Sequence, residues 1–150
     1  MIDILDTPDS AQKKLDYAGF WIRVAATIID SIIIYAALFI VGYFFVDELS
    51  PDNIILTIFS AYVILPIIVA IYYAAFESSS KQATPGKMAV GIKVGNHLGK
   101  QLTFGNAIGR YFAKILSALI LYIGFMMAGW DDKKQGLHDK VAGTYVFYAQ

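Results

Sequence analysis

Arg23, Thr27 and Asp30 interrupt a long apolar run near the start of the chain. Their i, i+4, i+7 spacing puts them on one stripe of a helix. At 1.5 Å rise per residue, Asp30 lies ~10 Å deeper along the axis than Arg23. A carboxylate held deep in a bilayer costs roughly 2.5–3.5 kcal/mol on insertion scales, so it must be paired, hydrated or protonated. Arg110, Lys114 and Ser117 repeat the same spacing later in the chain. The two stripes predict a polar seam where their helices meet, with Asp30 paired to Lys114 or Arg110. An intramembrane carboxylate in such a seam can exchange a proton for a cation, which is the chemistry of coupled antiport. Asp30 is therefore the candidate ion- and proton-binding residue. The competing reading is structural: a buried ion pair fixes helix register, and Arg23 snorkels to lipid phosphates.

Other polar residues carry weaker signals. Thr84-Pro85-Gly86-Lys87 contains Gly-Lys without the full spacing of a nucleotide-binding loop, so it reads as a turn with a surface lysine. His138 beside Asp139, near Asp131 and Asp132, makes a poor metal site, and a solvated or capping role is expected for it. Asp139 can instead pair with Arg23 or Arg110 and joins the polar seam. No nucleophile–base pair, metal set or cofactor motif is evident, and the chain does not read as an enzyme.

The elements that position these residues are membrane helices. Of 150 residues, 57% are hydrophobic and 16% charged, against roughly 25% charged in a soluble domain. The apolar residues gather in three segments, about 20–46, 53–76 and 105–130. A span of ~20 residues crosses a hydrocarbon core of ~30 Å. Pro66 predicts a kink in the second segment. Residues 1–16 form a polar tail whose four aspartates exclude a basic signal-peptide start. Net charge is zero, which gives no reason to expect nucleic acid, and the absence of cysteine excludes disulfides and thiolate chemistry. Ala89 to Val94 and Gln101 to Phe104 flank a Gly/Asn turn and predict a small β-hairpin between the second and third segments. The fold class expected is an all-α membrane protein with that hairpin at the surface.

Basic residues set the expected orientation. Lys13, Lys14 and Arg23 flank the first segment, residues 47–53 carry no Lys or Arg, and residues 77–105 carry four lysines. The N-terminus and the 77–105 connection are thus expected on the cytoplasmic side of a bacterial inner membrane. The tail carries Lys133, Lys134 and Lys140. Either the third segment is a re-entrant helical hairpin that returns the tail to that side, or three plain spans leave the tail outside against the charge rule. The balance favours the cytoplasmic tail.

Four ordered motifs carry a family resemblance. They are Gly19-Phe20-Trp21-Ile22-Arg23 with Ile28-Ile29-Asp30; Gln82 to Lys87 with Gly91-Ile92-Lys93-Val94; Gly109-Arg110-Tyr111 with Lys114 and Ser117; and Lys134 to Thr144. In these the chain, over about 17–147, resembles the RDD family of bacterial membrane proteins, with Arg23, Asp30 and Asp139 as the naming residues. The resemblance implies a role in transport, with cation/proton antiport associated with some members. A monovalent cation, a proton and membrane lipids are the expected partners. Few helices per chain implies a homo-oligomer with the seam near its interface. A non-transporting scaffold or accessory subunit, and a lipid-binding protein, are the alternatives.

Overall fold

The structure is a computed structural model that describes residues 15–44, 53–120 and 123–149. Most of the polar N-terminal tail, the far end of the first segment and the acidic connection after it lie outside these residues.

The first segment forms one helix, α1 (Phe20–Phe44). Its long apolar run contains no proline, so nothing interrupts the hydrogen-bond ladder. The second segment is a continuous helix over Ile55–Glu77. It comprises α2 (Ile54–Phe59), a π-helical stretch (Ser60–Ile64) and α3 (Leu65–Glu77). The π stretch stands directly before Pro66, and its wider turn accommodates the missing N–H. The predicted kink is thus absorbed as a local change of helical pitch. Both helices are long and apolar enough to cross a membrane, each with mean hydropathy 2.4.

The third segment folds differently. It contains α5 (Phe104–Leu119), the short α6 (Ile123–Met126) and a 3₁₀ turn (Met127–Gly129). The axes bend by 116° between α5 and the piece that follows it. Gly124 permits this return: a Cβ there would stand 2.8 Å from the Ser117 side chain. The tail consequently comes back to the end of the molecule where α5 began.

That end holds the packed part of the protein. Two short helices, α4 (Pro85–Ala89) and α7 (Leu137–Ala142), sit there beside a two-stranded antiparallel sheet. The sheet is small, as expected, but its second strand differs. Strand β1 (Ile92–Gly95) pairs with β2 (Tyr145–Tyr148), with Ile92 opposite Tyr148, and not with residues 101–104. Residues 96–100 close a tight turn through Asn96, whose side chain accepts from the Leu98 and Lys100 amides. β2 offers β1 a partner whose two central residues, Val146 and Phe147, are both buried. The other edge of β2 meets residues 16–18: Ala18 N–H donates to Val146 at 2.9 Å, and Tyr148 N–H to Asp16 at 2.9 Å. The N-terminal approach to α1, the 78–103 connection and the C-terminal tail therefore share one end of the molecule.

A small apolar core of Ala18, Ala26, Ile92, Val94, Leu102 and Val146 lies between this sheet and α1. Away from it the long helices are bare. In α1 the buried residues are Ala26 and Asp30. Beyond Asp30 the helix exposes Ile32, Tyr35, Phe39 and Phe44, as befits a surface solvated by lipid.

Candidate functional site

The packed end is built around ion pairs. Small residues bring α3 and α5 together. Ala70, Ala74 and Glu77 form the buried stripe of α3, and Ala107, Arg110, Ala113 and Ser117 that of α5. Alanines let the two backbones approach closely, so the single long side chain on each stripe reaches across. Arg110 Nη1 donates to Glu77 Oε2 at 2.6 Å. The same guanidinium reaches Asp139 on α7 through Nε at 2.9 Å and Nη2 at 2.8 Å. Arg23, at the start of α1, closes on the other oxygen of Asp139 and also donates to the carbonyls of Ala18 and Lys134. One guanidinium thus ties the start of α1 to the C-terminal tail at two points, a task suited to Arg's fixed fork.

Asp139 carries further work as the third residue of α7. Its carboxylate accepts from the Gly136 N–H at 3.1 Å and so caps the helix. Burial pushes its pKa upward, but the Arg110 and Arg23 guanidiniums outweigh that and hold it below the usual carboxylate range. His138 is buried against Phe125, with Ser117 Oγ 3.5 Å from its Nδ1. Burial pushes its pKa down to about 3, so it is a neutral imidazole. The expected solvated His138 is corrected accordingly: the return of α6 covers it.

Glu77 receives three cations. Besides Arg110 it pairs with Lys87 and, at 3.7 Å, with Lys114. Lys87 is buried, not the surface lysine expected of a turn. Its place in α4 faces it inward, and burial, the largest influence, lowers its pKa to about 7 against the raising effect of Glu77. Lys114 lies at the rim, its ammonium 4.3 Å from the centre of the Tyr73 ring.

Asp30 is held by a different set. Thr84 Oγ1 donates to Oδ2 at 2.5 Å, Gly86 N–H to Oδ1 at 2.7 Å, and the Tyr72 hydroxyl to Oδ1 at 3.3 Å. The expected partners Lys114 and Arg110 are bound to Glu77 and Asp139 instead. The cause is the Thr84-Pro85-Gly86-Lys87 turn, which inserts α4 against α1. Gly86 is required there, since a Cβ would lie 2.3 Å from the Ala26 carbonyl and 2.7 Å from the Asp30 carboxyl carbon. Thr84 both caps α4, accepting from Lys87 N–H at 3.4 Å, and donates to Asp30. Thr84, Gly86 and Lys87 thus each make a separate contact, the first two with Asp30 and the third with Glu77.

Of the predicted seam, Arg23, Arg110, Lys114, Ser117 and Asp139 converge, while Asp30 stands in an adjoining site. Thr27 does not take part: it is exposed and donates to the Arg23 carbonyl of its own helix at 2.9 Å. Glu77, the acidic centre of the cluster, reads in sequence only as the end of a span. Its signal was the Ala70-Ala74-Glu77 stripe, which continues a small-residue face into a charge. Lys87 had no comparable signal, because its burial depends on where α4 docks.

The RDD family model matches residues 17–143, which include every residue of this network. The chain belongs to the RDD family. Its similarity to the family extends to relatives in Bacillus subtilis. YxaI is 40% identical over 147 residues, covering 87% of this chain and 97% of the relative. The membrane protein YteJ is 35% identical, covering 88% and 81% respectively. YckC is 28% identical, covering 88% and 85%. No solved structure matches the chain. In RDD terms, Arg23 and Asp139 are joined in one salt bridge, and Asp30 anchors the Thr-Pro-Gly-Lys turn to α1. Membership and the apolar helices establish a membrane protein.

Proposed function

We propose that this RDD protein is a transport component that exchanges a proton for a monovalent cation at the Glu77–Lys87 pair. The observation that carries the reading is a buried carboxylate shared by two lysines, Lys87 and Lys114; burial pushes the Lys87 ammonium down to about 7. Loss of a proton from Lys87 Nζ to solvent leaves a neutral amine and a Glu77 carboxylate with one cation partner fewer. A monovalent cation replaces the lost charge at the carboxylate oxygens. Its release is matched by reprotonation of Lys87, so the exchange is one for one and electroneutral. Arg110 remains on Glu77 throughout and keeps the carboxylate from taking the proton itself. Asp30, fully engaged by Thr84, Gly86 and Tyr72, positions α4 and with it Lys87. The packed end lies on the cytoplasmic side, since the lysines of both the 78–103 connection and the tail gather there. The exposed lengths of α1, α2 and α3 are covered by lipid or by further copies of the chain.

Proteoliposomes loaded with a pH-sensitive dye test this. Addition of Na⁺ or K⁺ outside should move protons in the wild type, and Lys87→Met should stop it while Asp30→Asn leaves it working. The second reading, a scaffold or accessory subunit without enzymatic activity, draws on the saturation of the polar core. Among the described residues no buried side-chain N or O lacks a hydrogen-bond partner. Absence of cation-driven proton movement at every pH would favour that reading.

A further inference from the structure

The chain has two tryptophans, and both line one groove. It lies where α1 enters the apolar zone, between the first turn of α1, the 3₁₀ turn after α6 and the end of β2. Phe20, Trp21, Ile22, Met126, Trp130 and Tyr148 form its walls around a volume of about 680 Å³, in the range of small-molecule sites, ~300–1,000 Å³. Trp21 is 79% exposed and Trp130 63%. Exposed indoles at the boundary between a polar end and bare apolar helices occupy the headgroup level of a bilayer. One ammonium stands at the groove's rim. Lys134 Nζ stands 3.3 Å from the carbonyl of Gly129, which also lines the groove. Asp131, an acid of the same turn, is taken up by Lys140 at 2.5 Å.

We propose that this groove binds one anionic phospholipid of the surrounding leaflet, its phosphate against Lys134 and its glycerol and upper chain along Ile22 and Met126. The apolar walls accept the acyl part, the indoles fix the depth, and the ammonium selects the headgroup. The inference is independent of ion exchange at Glu77, which lies on α3 and does not border the groove.

Tryptophan emission reads the groove directly, because no other tryptophan contributes. The full chain is reconstituted twice into vesicles of phosphatidylglycerol and phosphatidylcholine at equal fractions. Bromine is carried on the chains of one lipid in the first set and of the other in the second. Brominated phosphatidylglycerol should quench more strongly, with a local enrichment of about fivefold, the ratio matching ~1 kcal/mol per basic residue near an anionic surface. Lys134→Gln should bring the two lipids to parity and Lys134→Arg should keep the preference. Equal quenching in the wild type would overturn the proposal, as would a preference that survives Lys134→Gln. Absence of quenching by either lipid would also overturn it and assign the groove to protein.

Discussion

Arg23 and Asp139 are 116 residues apart in sequence and share a buried salt bridge. The contact joins the entrance of the first membrane helix to the last helix of the chain. Both of Asp139's oxygens face guanidinium groups, so Asp139→Asn takes the counter-charge from Arg23 and leaves Arg110 with Glu77 alone. Breaking a buried pair in this way costs roughly 3–5 kcal/mol. We expect a clear fall in the thermal midpoint of the detergent-solubilised protein. Arg23→Lys keeps the charge but cannot also serve the Ala18 and Lys134 carbonyls. It should lose less, about 1.5–3 kcal/mol, the value of a hydrogen bond to a charged group.

Gly86 has no room to grow. With a Cβ only 2.3 Å from the Ala26 carbonyl, Gly86→Ala must push α4 off α1, and the obstacle is backbone that cannot rotate away. Overpacking of this kind costs typically 1–3 kcal/mol. Hydrogen exchange should show the Gly86 amide, now bound to Asp30, losing protection in the variant.

Asp30 is a docking residue in this account, and its substitutions should grade accordingly. Asp30→Asn retains an acceptor for the Gly86 N–H and should cost about 1 kcal/mol. Asp30→Leu strands the Gly86 amide and the Thr84 hydroxyl in a buried site, at ~1–3 kcal/mol for each unsatisfied group. A thermal-melt series across both variants separates these outcomes; equal effects would argue against the docking role.

Two buried bases set a pH dependence. His138 has its pKa depressed to about 3 and Lys87 to about 7. In each case the unfolded chain binds a proton that the native chain does not, from the native pKa up to the ordinary one. Stability therefore rises with pH in two windows, from about 3 to 6.5 for His138 and from about 7 to 10.5 for Lys87. Lys87→Met should flatten the alkaline window without steep loss of stability at neutral pH, since Arg110 and Lys114 still serve Glu77. Melting midpoints across the pH range check both limbs.

Much of this was legible in the sequence. The apolar segments and the shared stripe of Arg110, Lys114 and Ser117 followed from periodicity, while the placement of lysines gave the return of the tail as one of two alternatives. The pairing of charges did not. Periodicity places a side chain on a face of its own helix, whereas its partner depends on which element docks against that face. α4 is five residues long, too short to announce itself, yet it claims Asp30 and delivers Lys87 to Glu77. The β1 partner was missed for a related reason. A turn between neighbouring runs is a local signal, and β2 lies some fifty residues further along the chain.

The most direct test of the account is the pH profile of cation-driven proton movement for Lys87→Arg in proteoliposomes. Arginine keeps a positive charge on Glu77 and preserves the fold, but it does not release its proton in any accessible range. The account predicts that exchange in the wild type turns on around pH 7, near the pKa of Lys87, and is absent from Lys87→Arg at every pH despite an unchanged thermal midpoint. Undiminished exchange with the wild-type profile in Lys87→Arg would contradict it.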